Sequence, residues 1–320
     1  MPLPCQIAKG FLDKPDLLRN GTVRQAPTTL ANLVSLVFLP AKFPNQRPAM
    51  NAPFRFTLAT LAGLLLAGCY AVPVTGRHAM NLVDDNDVTK MSIAMFDEMK
   101  HQYKISRDRA LNDQLRRVGE RISKVVFWDM PDADWEFVVF DVPQINAFAM
   151  AGGKVGVFTG LFKIVKNDDQ LASVIAHEIA HVTAKHVHEK LSQEMAVSTI
   201  GAVGMIGGMA GGASMLTVDA LSQAYGLTTA AGGLAFDRKK EKEADYIGLM
   251  YMARAGYDPQ ESVRVLETLD AESSSQPAPP AFLSTHPSNP ERIIQLLDAM
   301  PKALEERAAS GRTAAPVLIK

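Results

Sequence analysis

The sequence predicts an α+β fold, predominantly helical, with one small antiparallel sheet. Three observations predict it. Apolar residues recur at helical spacing in the first half, at Met91, Met95 and Met99 and again at Leu111, Leu115, Val118 and Ile122. Between 135 and 158 the pattern changes to β-branched and aromatic runs. Helical character then returns around "VIAHEIAHVTAKHVHEK", residues 174–190, which holds four of the chain's seven histidines.

The chain has 320 residues, 47% hydrophobic and 21% charged, enough for one good-sized core or two small ones. Its formal net charge is −1 and it has no long basic run, so no nucleic-acid partner is expected. Arg238-Lys239-Lys240 is followed at once by acids and reads as a solvated face. No internal repeat is visible.

The elements follow in order. From Met50, Arg55 supplies a short positive region, and Phe56–Gly68 is an uncharged, mostly apolar run too short to span a bilayer. It ends in Leu66-Ala67-Gly68-Cys69, which resembles the lipobox of bacterial lipoproteins. That resemblance makes 50–68 a lipoprotein signal peptide and Cys69 the lipid-bearing mature N-terminus. Cys5, the other cysteine, is then absent from the mature chain, and no disulfide forms. Residues 1–49 read as an upstream extension before a start at Met50, or as a disordered tail. Residues 69–83 read as a tether.

Residues 84–104 and 108–126 are expected as helices whose apolar stripes face a core. "WEFVVFDV", 135–142, reads as a strand, and the two runs around Gly152-Gly153 read as a hairpin. Asn167 caps a helix expected to continue unbroken through the histidines to about Glu194. The segment 196–235, rich in Gly, Ala and Met, reads as a close-packed, mobile helical hairpin near the site rather than a membrane span. Residues 237–255 form a helix stopped by Gly256 and Pro259, 271–281 a loop, and a last helix begins near Pro290.

Within the histidine helix, His177 and His181 are four apart and share a face, so both rings can converge on one ion. On an unbroken helix His186 lies about 140° away from His181 and cannot reach that ion. His188 returns to the face but about 10 Å along the axis, too far to share it. These two are expected as surface or packing residues. Glu178 makes the pattern HExxH, two imidazoles for a metal and a carboxylate beside its water. A catalytic zinc takes a third protein ligand. The extended pattern HExxHxxGxxH fails, because Ala184 and Val187 stand where Gly and His are required. A downstream carboxylate is the other option. In "RKKEKEADYIGL", Glu241 and Asp245 share a face, and Glu243 points to nearly the opposite side. Glu241 could bind the metal while Asp245 accepts the free N–H of a ligand histidine.

"HEIAHVTAKH", "EKEADYIGL" and "STHPSNPERI" occur in that order, with "INAFAMAGGKVGVFTGL" upstream of all three. Together they resemble the zinc metalloprotease family that includes HtpX, the CAAX prenyl proteases, the mitochondrial inner-membrane stress protease and bacterial periplasmic lipoproteins. The resemblance covers roughly 84–300 and makes it a zincin-like metallopeptidase domain, leaving 301–320 as a helix end and tail. It implies one Zn²⁺ per chain held by His177, His181 and Glu241, with Glu178 as the catalytic base and Asp245 behind the ligands. It gives His286 one of two roles, donor to the oxyanion or regulatory fourth zinc ligand, with Arg292 supporting its loop. Asn146, Ala147, Phe148 and Ala149 are expected to offer a strand edge to an extended peptide. The integral-membrane members carry unambiguous spans that this sequence lacks. The implied protein is a lipid-anchored endopeptidase on the periplasmic face of a bacterial envelope, at the outer membrane because Tyr70 rather than Asp follows Cys69. Its expected substrates are unfolded or misassembled envelope proteins. The alternative is a latent protease acting mainly as a chaperone or assembly factor beside envelope assembly machinery.

Overall fold

Several helices begin where a short polar side chain caps them. Asp84 opens α1 (Asp85–Gln102), accepting from the backbone N–H groups of Asn86 and Asp87. Asp108 does the same for α2 (Arg109–Val125), Asn167 for α3 (Asp168–Thr183) and Asp237 for α6 (Arg238–Arg254). The computed structural model describes residues 69–205, 217–225, 237–275, 281–287 and 290–311. The segments read as a signal peptide and as an extension before it lie outside the described residues, as do much of the Gly/Met-rich segment and the end of the tail.

A hairpin of β1 (Cys69–Ala71) and β2 (His78–Met80) precedes α1. Where a bare tether was expected, the chain is folded: Val72 and Ala79 enter the main core, and the Tyr70 hydroxyl donates to the Thr183 carbonyl at 2.8 Å. After α2 come β3 (Glu136–Phe140), β4 (Ala147–Met150) and β5 (Lys154–Phe158). β4 and β5 form the expected antiparallel hairpin. Gly152 and Gly153, with φ of +83° and +81°, make its turn. β3 instead pairs with β5 in parallel, so the order is β3-β5-β4 and the sheet is mixed. The parallel step is made possible because the hairpin intervenes between the two strands in sequence. It leaves β4 at the edge of the sheet, beside α3.

The histidine helix is interrupted. α3 ends at Thr183, Lys185 takes a left-handed φ of +54°, and α4 (His186–Met205) starts anew. The expectation of one continuous helix to Glu194 is therefore corrected. α5 (Val218–Ala224) follows, then α6, α7 (Glu261–Ser275), α8 (Ala281–Thr285) and α9 (Pro290–Ala309). Residues 271–275 continue α7 instead of starting the expected loop. Among the described residues no helix is long and apolar enough to cross a membrane.

Two apolar clusters hold these elements. The larger joins α2, α3, α6, α7 and α9 around residues such as Ile175, Ile179, Ile247 and Met250, all buried. The smaller packs α1, α4 and α5 on the sheet through Phe96, Phe140, Phe148, Val187 and Leu221. At the crossing of α3 and α6, a Cβ on Gly248 would lie 2.9 Å from the backbone nitrogen of His177. Glycine lets the two backbones touch there, which fixes the side chains of α6 against those of α3.

Candidate metal centre

α3 brings His177, Glu178 and His181 to its inner face, all buried. α6 brings Glu241 and Asp245 opposite them. His286 comes from the turn after α8, whose start is tied to the sheet: Phe282 N–H donates to the Ile145 carbonyl at 3.1 Å, just ahead of β4. The Phe282 ring stacks on that of His286, with centroids 4.7 Å apart.

Four potential ligand atoms converge here, from His177, His181, Glu241 and His286, all within 4.8 Å of one another. The spacings are more telling. His177 Nε2 is 3.1 Å from His181 Nε2 and 3.3 Å from His286 Nδ1. Glu241 Oε1 is 3.0 Å from His286 Nδ1 and 3.4 Å from His181 Nε2, and Glu241 Oε2 is 3.5 Å from His177 Nε2. A tetrahedron with metal–ligand bonds of about 2.0–2.1 Å has edges of about 3.4 Å. Several of these separations are close to such an edge, so the donors are gathered at a spacing that a zinc ion could bridge. Three imidazole nitrogens and a carboxylate oxygen facing one point also suit a cation chemically, since a shared proton would satisfy only one pair.

The surrounding contacts hold these ligands. Asp245 Oδ1 lies 3.0 Å behind His177 Nδ1, a close contact rather than an aligned hydrogen bond, while His177 presents Nε2 to the common point. Arg292 is 1% exposed. It forks onto Asp245, Nε to Oδ2 and Nη2 to Oδ1, both at 2.7 Å, and its Nη1 reaches Glu241 Oε2 at 3.0 Å. It also lies 3.4 Å from the His286 carbonyl. The expectation that Arg292 supports the His286 loop is too narrow, because the same guanidinium also contacts both α6 carboxylates. Burial opposes the Arg292 charge, but Asp245 first and then Glu241 outweigh it and draw its pKa up. Burial also pushes Glu178 up. Its Oε1 is buried without a hydrogen-bond partner, and His286 Nε2 lies 3.5 Å from it.

Glu178, His181 and His286 line one small cavity with Phe148 and Ala149 of β4 and with Tyr225. Phe148 and Ala149 of the edge strand therefore flank this cavity, and Ala147 is not among its lining residues. Asn146 is spent locally, its Oδ1 accepting from Ala147 N–H and its carbonyl from Phe158 N–H. Tyr225, just after α5, accepts from Ala151 N–H at 2.9 Å through its hydroxyl, so part of the Gly/Met-rich segment does dock beside the site.

Of the surface and packing roles expected for the other two histidines, both take the packing one, and one orientation needs correction. The break at Lys185 swings His186 back beside His181 rather than leaving it turned away, and it is fully buried with Nδ1 2.9 Å from His181 Nδ1. Its other nitrogen, Nε2, is 3.0 Å from Glu243 Oε2. Glu243 does point away from Glu241, but toward His186 rather than to solvent. His188 is buried near Asp85, at 3.4 Å, and burial lowers its pKa to about 4. No turn-forming residue occurs in Ala184-Lys185 to signal the break, which is why the sequence hid both contacts.

A family model described as "Peptidase family M48" matches residues 109–300. "Mitochondrial metalloendopeptidase OMA1" of Schizosaccharomyces pombe is 36% identical over 245 residues, covering 75% of this chain and 68% of that protein. The Arabidopsis thaliana protein of that name is 32% identical over 238 residues, 72% of this chain and 46% of its own length. "Beta-barrel assembly-enhancing protease" of Escherichia coli (strain K12) is 29% identical over 245 residues, 74% of this chain and 48% of that protein. The chain thus spans about two thirds of the first of these relatives and about half of the other two.

Proposed function

The chain belongs to peptidase family M48, so its folded part is a metallopeptidase domain, and from that premise we propose that it is a zinc endopeptidase that hydrolyses unfolded or misassembled proteins of a bacterial envelope. The observation that carries this reading is the convergence of His177, His181, Glu241 and His286 beside a buried Glu178 whose Oε1 has no hydrogen-bond partner. His177, His181 and Glu241 are the resident ligands, for one Zn²⁺ per chain. A zinc ion in such a donor set supplies Lewis acidity to a water and to a carbonyl oxygen.

The protein's own residues do the rest. Glu178, raised by burial, takes a proton from the attacking water and returns it to the leaving amine. Asp245 fixes the His177 tautomer, and Arg292 keeps Asp245 and Glu241 ionised. The edge of β4 receives an extended peptide by strand addition, with Phe148 and Ala149 nearest the scissile bond. Such binding reads backbone, which suits unfolded substrates. The lipobox supports attachment through Cys69 to the periplasmic face of the outer membrane, and the name of the E. coli relative supports β-barrel precursors among the substrates or partners. Glu178→Gln tests the reading. The variant should keep its zinc, lose about 10²–10⁴-fold in cleavage of an unfolded protein such as casein, and retain trapped envelope proteins. Undiminished cleavage would refute the assignment of Glu178.

A second reading is favoured by the position of His286. Its Nδ1 stands where water or substrate would enter, so we also propose that the protease is latent, its loop holding the fourth position closed while the protein acts as a chaperone or assembly factor. Under latency His286→Ala raises casein cleavage at equal zinc content. Were His286 the oxyanion donor, the same change would lower the rate by about 10²–10³-fold.

A further inference from the structure

We propose that His186 and Glu243 form a positioning relay that holds His181 in its ligating tautomer and orientation, and that Arg77 on the N-terminal hairpin fixes the outer end of that relay. The inference rests on the zinc reading of the site and adds residues that the ligand set does not contain.

The bonding order follows from which atom each ring nitrogen faces. His181 Nε2 faces the other ligand atoms, 3.1 Å from His177 Nε2. For it to offer a lone pair to a cation, the ring proton must sit on Nδ1. That proton has one acceptor in line, His186 Nδ1 at 2.9 Å. His186 then carries its own proton on Nε2 and donates it to Glu243 Oε2 at 3.0 Å. The arrangement is internally consistent with both rings neutral. The reverse tautomer of His186 would place N–H against N–H on one side and a lone pair against a carboxylate on the other.

His186 is held for this part. It is fully buried, its ring meets that of His181 edge-on at 4.8 Å, and it reaches this position only through the left-handed Lys185. A lysine at positive φ is strained, so the surrounding fold maintains a local strain whose visible result is this contact. Glu243 is held in turn. Arg77 Nε is 2.7 Å from its Oε2, Thr75 Oγ1 donates to its Oε1 at 2.8 Å, and the Arg77 fork reaches Glu189 of α4 at 2.9 and 3.2 Å. Thr75 and Arg77 belong to the turn and strand entry of the β1–β2 hairpin. His177 thus rests on Asp245 and Arg292, both downstream in the chain, whereas His181 rests on a relay that ends in the segment directly after Cys69.

The test is zinc affinity of the full chain by chelator competition, with the visible spectrum of the cobalt-substituted protein as a second readout. Two variants separate the hydrogen bond from packing. His186→Asn places Oδ1 near where Nδ1 stood and keeps the acceptor, and His186→Leu keeps much of the volume and removes it. His186→Leu should weaken zinc binding by about 10–100-fold, the usual effect of losing a ligand's hydrogen-bond partner, and should shift the cobalt bands. His186→Asn should stay within a few-fold of the parent, and Arg77→Ala should lose less than His186→Leu. Melting of the metal-free proteins shows whether each folds. If His186→Leu does not, Glu243→Ala carries the test and should also weaken zinc binding. Parental affinity in His186→Leu, or in Glu243→Ala where that variant carries the test, overturns the relay, as do equally weak Asn and Leu variants with equal metal-free stability. His181→Ala separates the two levels of the argument. If it binds zinc as the parent does, the zinc reading of the site is what fails.

Discussion

Arg292 serves three neighbours with one side chain: Asp245 through two 2.7 Å bonds, Glu241 at 3.0 Å, and the carbonyls of His286 and Pro287. Removing it leaves two buried carboxylates without their cation, a change that costs about 3–5 kcal/mol when one partner of a buried pair is lost. Arg292→Met should therefore lower the denaturant-derived stability of the metal-free protein by that order, and zinc should recover part of it by neutralising Glu241. Arg292→Lys should recover little, since an ammonium cannot form the fork. A loss under about 1 kcal/mol would mean that water reaches the carboxylates and that the guanidinium is dispensable. At this scale the sequence was readable where chemistry and spacing coincide. The i,i+4 pair His177/His181 and the i,i+4 pair Glu241/Asp245 each announce a shared helical face. His286 and Arg292 lie about 40–50 residues beyond Glu241, with no periodicity to connect them, and only the likeness of "STHPSNPERI" to a known family pointed to them. His186 was misread because its placement depends on one backbone dihedral, at a lysine that carries no signal for it.

The elements most easily read were those with a cap and an apolar stripe. α1, α2, α3 and α6 begin within a residue or so of where Asp84, Asp108, Asn167 and Asp237 direct them. Tertiary structure decided what local pattern could not. The parallel pairing of β3 with β5 depends on which strand edges meet, and the folding of residues 70–83 depends on Tyr70 finding Thr183 and Arg77 finding Glu189 and Glu243. Sequence-local propensity contains neither partner. Gly248 shows the same limit in reverse: in sequence it is only a weak point in a helix, and in the structure it is the contact that sets α6 on α3. Gly248→Leu should force the helices apart, since even a Cβ would meet the His177 and Ala176 backbone at 2.9–3.0 Å. The expected cost is about 1–3 kcal/mol or more. Because α6 carries Glu241 and Asp245, zinc affinity should fall as well. Lost stability with parental zinc affinity would show that the ligand geometry does not depend on this crossing.

At the scale of the molecule, the proposed ion joins parts of the chain that are far apart in sequence. Its ligands come from α3, from α6 some sixty residues later, and from the turn before α9 at His286. The relay adds the hairpin near Cys69. The unfolded chain can offer nothing equivalent, because four donors spread over more than a hundred residues would have to be gathered at the entropic cost of closing those loops. Zinc should therefore bind the native state selectively and stabilise all of it, not the site alone. With free zinc at a hundred times the dissociation constant, linkage gives about 2.7 kcal/mol. For a folded region of this size that is an increase of about 5–10 °C in the midpoint of thermal unfolding. Calorimetry of the metal-free and zinc-loaded full chain should show one transition moving upward as a whole. Magnesium should not move it, since that ion avoids a nitrogen-rich tetrahedral set. In His181→Ala the zinc-induced rise should largely vanish. A rise confined to part of the unfolding curve would mean that the N-terminal hairpin and α1 unfold independently of the centre. Arg77 would then be a surface contact rather than the outer support of a metal ligand.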